Sequence, residues 1–272
     1  MVRYSDYGAD GNHIVNCGHS LQSHPLAISG QYSRHFHDSY ELLLLISGDV
    51  HYSIDGNRYV LKPYDILLIP PTKYHFLIPM SDEDYESYVV NLKIDLDGNE
   101  RLQRLFSPPY LINIANDKMA RKMFELFDYY FENYSLEDFK AVSWHLVNEL
   151  LIYLSYKVKD ELDNKHAMEN DSLITKITNY INENIEKELN VRVIARELHF
   201  SESYVQNHFS KMMGIGLKQY INQKKIYAAY MDIKSGLSPN VAAQKYNFVD
   251  YSSFFRHYKK TFGSSPVEGK KF

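Results

Sequence analysis

The sequence predicts a two-domain chain: an N-terminal all-β barrel followed by helices, then a C-terminal all-α unit with a double helix-turn-helix. Three observations carry this. The hydrophobic pattern changes from strand-like to helical near Asp117, the last hundred residues contain an internal repeat, and charge is split unevenly along the chain. A length of 272 residues leaves room for two domains, and 44% hydrophobic with 24% charged residues is an ordinary globular composition.

The net charge of −4 conceals the split. From Ser172 onward 15 Lys and Arg face 8 Asp and Glu, a formal +7; the preceding 171 residues hold 15 against 26, a formal −11. A basic half joined to an acidic half points to a nucleic-acid partner for the basic end alone. The one cysteine, Cys17, excludes an intramolecular disulfide and fits a reducing, cytoplasmic setting. The N-terminus lacks the apolar core of a signal peptide, and no apolar run approaches a membrane span, so no membrane partner is expected.

Residues 1–115 are assigned to the barrel. From about Gln31 to Ile94, the apolar stretches Leu42–Ile46, Tyr59–Leu61, Ile66–Ile69 and Tyr88–Val90 alternate with turn signals such as Ser47-Gly48-Asp49 and Pro70-Pro71. Asp55-Gly56 is a hairpin signal, because the tight turn needs positive φ. Residues 116–158 read as a helical packing or dimerisation segment. Met119, Met123, Leu126, Phe127 and Tyr130 form one stripe, Ser135 is a plausible N-cap, and the helix after it carries Val142, Leu146, Leu150, Ile152 and Leu154. Residues 159–171, polar and charged without an apolar face, read as the linker.

Residues 172–272 form the repeated unit. Ala195-Arg-Glu-Leu-His-Phe200 lines up with Ala243-Gln-Lys-Tyr-Asn-Phe248. Each is followed by a polar start, an amphipathic helix, and a glycine, Gly214 or Gly263, that would stop it. A small alanine lets two helices cross closely. His199 and Asn247, each before a Phe expected to be buried, tolerate the left-handed turn conformation. Val205 with Phe209 and Phe254 with Tyr258 would anchor the second helices, and Gly216–Lys234 reads as one long helix between the motifs. These are the mechanics of two helix-turn-helix motifs held at a fixed spacing, which suits successive major grooves.

Candidate base readers on the second helices are Ser203, Gln206 and Asn207 in the first motif and Tyr251, Ser252, Phe255 and Arg256 in the second. Amide side chains can make two hydrogen bonds to an adenine edge; Arg256 could read guanine or hold a phosphate or an internal partner. Lys211, Lys259 and Lys260 fit phosphate contacts.

The stretch Tyr246-Asn-Phe-Val-Asp-Tyr-Ser-Ser-Phe-Phe-Arg-His-Tyr-Lys-Lys-Thr-Phe-Gly-Ser-Ser-Pro266 strongly resembles the signature of the AraC/XylS transcription regulators, and the resemblance runs from Ile174 to Lys271. Asn247 stands in place of the usual turn glycine, Asp232 where leucine is usual, and Asn207 and Ser210 where Arg and Lys are frequent. The resemblance implies a homodimeric regulator of transcription, such as an activator, that works with RNA polymerase on double-stranded DNA. A small-molecule effector, a sugar for instance, would be held in a cupin-like sensor barrel.

Within that barrel His35-Phe-His37, Glu41 and His75 draw attention. Histidines at i and i+2 on a strand share a face, and a third with a carboxylate can close a metal site. The spacing resembles the cupin metal motif, although Tyr64 and Thr72 replace glycines usual there. The four residues are therefore expected to bind ligand or act structurally, without a cofactor and without enzymatic activity. The alternative is a divalent metal and a cupin enzyme fused to a DNA-binding domain.

Overall fold

In the computed structural model, residues 2–9, 12–27, 34–96, 98–107, 111–161, 168–170 and 172–267 are described. Gln31, expected near the start of the strand pattern, and 162–167 and 171 of the expected linker lie outside them. The chain divides into two compact units, Met1–Ile54 with Arg58–Glu169, and Asp55–Asn57 with Asn170–Phe272.

In the first unit the strands are β1 (Val2–Ala9), β2 (Asn12–Gln22), β3 (Tyr40–Ser47), β4 (Val50–Ile54), β5 (Asn57–Val60), β6 (Asp65–Ile69), β7 (His75–Pro79) and β8 (Tyr85–Lys93). Helix α1 (Glu100–Leu105), strand β9 (Leu111–Asn113), helices α2 (Lys118–Asn133) and α3 (Leu136–Glu161) and strand β10 (Met168–Asn170) follow. The end of α3 and β10 fall in the stretch expected to be a linker.

The strands do not close into the expected barrel. They form a six-stranded sheet, in the order β1-β2-β8-β3-β6-β9, and a four-stranded sheet, β10-β5-β4-β7. Strand β3 shows why two layers form. Leu42, Leu43, Leu44 and Leu45 are all fully buried. Leu42 and Leu44 face a core shared with Phe124 and Phe127 of α2 and Leu150 and Leu154 of α3, whereas Leu43 and Leu45 pack with Val50, Tyr52 and Ile54 of β4. A run of four leucines is what a strand covered on both faces requires. The β4–β5 hairpin turns through Asp55 and Gly56 at φ +46° and +84°, the positive values that its sequence demands.

Helix α2 is capped by Asp117, whose Oδ1 accepts from the Ala120 amide at 3.0 Å. The Asp117 carboxylate also accepts from the Tyr153 hydroxyl at 2.9 and 3.0 Å and pairs with Lys157 at 3.0 Å, which ties α2 to α3. Ser135 caps α3 as expected, its Oγ accepting from the Asp138 amide at 3.2 Å.

The second unit contains α4 (Ser172–Glu183), α5 (Val191–Glu197), α6 (Glu202–Met213), α7 (Leu217–Lys234), α8 (Pro239–Lys245) and α9 (Tyr251–Phe262). Both motif turns take the left-handed conformation, with His199 at φ +59° and Asn247 at +54°. Ala195 and Ala243, the small residues of the two first helices, are both buried. Helix α7 is buried on most sides through Tyr220, Ile221, Ile226, Ala229 and Ile233. Such a helix belongs to the interior of its unit and sets the separation of the two motifs. Among the described residues, no helix is long and apolar enough to cross a membrane.

Candidate functional site

The two second helices of the motifs, α6 and α9, are built alike. Ser201 caps α6 through an Oγ that accepts from the Tyr204 amide, and Asp250 caps α9 by accepting from the Ser253 amide at 2.6 Å. Both helices end at a left-handed glycine, Gly214 at φ +66° and Gly263 at +72°. Val205, Phe209, Phe254 and Tyr258 are fully buried and root the helices in their cores. The opposite faces are left to solvent. Ser203, Gln206, Asn207 and Lys211 on α6, and Tyr251, Ser252, Arg256, Lys259 and Lys260 on α9, are all exposed, and Phe255 is half-buried.

One expectation fails. Phe200 is 42% exposed and stacks on Tyr204, which stacks in turn on His208, with ring centroids 5.4 and 5.6 Å apart. The i, i+4 spacing of Tyr204 and His208 on α6 lets an aromatic ladder form outside the core. Phe248, its counterpart, does pack on Phe254, at 5.2 Å. Sequence reasoning also missed a cavity of about 490 Å³ beside Gln206, lined among others by Arg192, Lys218, Asn190 and Asn222. These residues lie outside the second helix, where a motif-based search concentrates.

In the first unit the structure brings His35, His37, Glu41 and His75 together. One donor atom from each lies within 4.8 Å of the others. His35 and His75 are joined through their backbones by hydrogen bonds of 3.1 and 3.2 Å, and Glu41 stands at the start of β3, on the face that looks toward the second sheet. Glu41 Oε2 lies 3.0 Å from His37 Nε2 and 3.6 Å from His75 Nε2. Burial alone would raise the Glu41 carboxyl pKa. Hydrogen bonds from His37 and His75, and their charge, outweigh burial and hold it far below the usual range.

The ring orientations carry more information than proximity. His37 Nδ1 donates to the Ser39 carbonyl and His75 Nδ1 to the Lys73 carbonyl, each at 2.8 Å. With Nδ1–H so committed, each Nε2 either takes a second proton and donates to Glu41 or turns a lone pair toward a cation. Metal-bound histidines are oriented by the same outer hydrogen bonds. Three imidazoles and one buried carboxylate are a donor set that fits zinc, iron, nickel or manganese.

A second polar cluster, not anticipated, lies between the six-stranded sheet and α2. His19 stacks on Tyr88 with ring centroids 3.9 Å apart, while its Nδ1 meets Asp128 at 2.7 Å and its Nε2 meets Glu86 at 2.8 Å. Burial and the hydrogen bond to Asp128 push the Tyr88 hydroxyl pKa well upward. No spacing rule would have joined residues so far apart in sequence.

Comparison with known proteins matches each unit separately. Residues 28–138 match the family described as AraC-like ligand binding domain, and residues 194–271 match a helix-turn-helix domain family. An uncharacterized HTH-type transcriptional regulator, YtdP of Bacillus subtilis (strain 168), is 28% identical over 142 residues, 52% of this chain and only 18% of that protein. The HTH-type transcriptional activator AarP of Providencia stuartii is 29% identical over 103 residues, covering 38% of this chain and 76% of the relative. A crystal structure of ToxT from Vibrio cholerae O395 aligns with 96% of this chain and 97% of its own at 16% identity and a TM-score of 0.39, too distant to carry an argument. With a match to an AraC-like ligand binding domain followed by a match to a helix-turn-helix domain, the chain has the domain pair of an AraC-type transcription regulator.

Proposed function

We propose that the chain is a sequence-specific DNA-binding regulator of transcription, working in the cytoplasm, whose α6 and α9 enter successive major grooves. The observation that carries this is the matched build of the two helices. Each is capped at both ends and rooted by buried side chains, and each leaves a polar or basic face to solvent. Ser203, Gln206, Asn207, Tyr251, Ser252, Phe255 and Arg256 read bases, and Lys211, Lys259 and Lys260 hold phosphates. Selection of the full-length protein against a random duplex pool tests it. Enrichment of a site with two motifs about one helical turn apart is expected. A pool that shows no enrichment overturns the reading.

A small-molecule effector, with a sugar as the first class to try, binds in the N-terminal unit around His35, His37, Glu41 and His75. Its differential affinity for two arrangements of the regulator supplies the control. The regulator acts as a homodimer on adjacent half-sites and engages RNA polymerase, without catalysis of its own. Exposed Ile152 and Tyr156 on α3 support a dimer seam along that helix.

The histidine orientation favours a second reading of the same site, in which these four residues hold a divalent metal that supplies Lewis-acid chemistry for a cupin-type enzyme. Elemental analysis of protein purified without a histidine tag separates the two. Stoichiometric metal, lost in His75→Ala, supports the metal reading, and its absence supports the metal-free effector site.

A further inference from the structure

The turns that lead into α6 and α9 differ by one residue. Phe200 runs directly into the cap Ser201, whereas Val249 stands between Phe248 and the cap Asp250. With the caps aligned, Gln206 corresponds to Phe255 and Asn207 to Arg256. The first helix thus presents two amides where the second presents an aromatic ring and a guanidinium.

Val249 is 97% exposed, more than any other large apolar residue described. An apolar residue just before a helix cap ordinarily folds back on the fourth residue of the helix as a hydrophobic staple. The fourth residue here is Phe254, which is fully buried, and a side chain as exposed as Val249 does not lie against it. Val249 therefore contributes nothing to the packing of its own unit. It stands at the N-terminal tip of α9, the end of a reading helix that approaches base edges. Tyr251 and Phe255 follow within six residues, with rings 6.4 Å apart, and Arg256, Lys259 and Lys260 on the same helix are exposed and cationic.

We infer that Val249 is a specificity-determining residue that takes the C5-methyl of thymine, the apolar group by which a T·A pair is recognised in the major groove. This rests on the DNA-binding reading above and deepens it. The first motif recognises adenine through amides, and the second recognises thymine through an apolar tip. The basic residues of α9 bring that tip to the groove floor by contacting phosphates on either side.

The test uses the full chain and the site it enriches from a random pool. Each thymine is replaced in turn by deoxyuridine, which keeps base pairing and removes only the methyl group. At one or two thymines in the half-site of the second motif, binding should weaken about fourfold, the worth of one methyl removed from water. Val249→Ser should bind thymine and deoxyuridine sites equally, with its melting temperature unchanged because the residue touches no core. Undiminished thymine preference in V249S, or no methyl dependence in the wild type, overturns the assignment and leaves the regulator reading standing. Failure to enrich any site removes both.

Discussion

Replacing Asn247 tests whether the left-handed turn, and not the side chain, shapes the second motif. Asn247 sits at φ +54°, and its Nδ2 donates to the Glu186 carbonyl. Asn247→Gly and Asn247→Val both delete that hydrogen bond, so the difference between them isolates the backbone. Glycine meets no steric cost at this φ, while a side chain carrying Cβ loses about 1–2 kcal/mol, and a β-branched one stands at the upper end. For a unit of roughly 100 residues, each kcal/mol moves the melting temperature by about 4–8 °C. Asn247→Val should therefore melt about 5–15 °C below Asn247→Gly. Differential scanning calorimetry reads this, and fluorescence of Trp144, the single tryptophan, marks the transition of the first unit, which should not move. Equal melting of the two variants would refute the claim that positive φ governs the turn.

Three further outcomes follow from the same geometry. Arg256→Ala should weaken binding to the enriched site by about 1–3 kcal/mol if the guanidinium reads a base; unchanged affinity in a gel-shift titration removes it as a reader. Lys259→Ala should weaken all duplexes alike and reduce the salt dependence of binding by about one unit of slope, whereas a loss confined to one sequence would contradict a phosphate role. Asp117 is partly buried, which alone would raise its pKa, but bonds from the Ala120 amide, Lys157 and Tyr153 lower it below the ordinary carboxylate value. Its contribution is then fully present above the unfolded pKa near 4 and is lost as pH falls through the folded value. Asp117→Asn should flatten the acid limb of the first unit's stability curve, and an unchanged limb would show that the carboxylate charge is not what ties α2 to α3.

Much of the second unit was legible in sequence because its determinants are local. Caps, left-handed turn residues, terminal glycines and an i, i+4 apolar stripe act within a dozen residues, so a repeat exposes them twice. Phe200 misled because a motif position does not say whether its ring turns inward. The first unit was less legible. The run Leu42–Leu45 announced a buried strand, and the spacing of His35, His37 and Glu41 announced a shared face. Strands β1 and β2, by contrast, are polar or mixed in pattern and lie before the stretch that reads as strand-like.

The sequence by itself determined that a basic double helix-turn-helix follows an acidic β-rich region, and which side chains of α6 and α9 could face a groove. Only the tertiary structure decided that the strands stack as two sheets, since closure depends on long-range pairing that local periodicity does not encode. It alone brought His75 beside Glu41 and His19 between Asp128 and Glu86, because those contacts join residues far apart along the chain. It also showed Val249 standing in solvent, where an apolar residue in sequence would have been counted with the core.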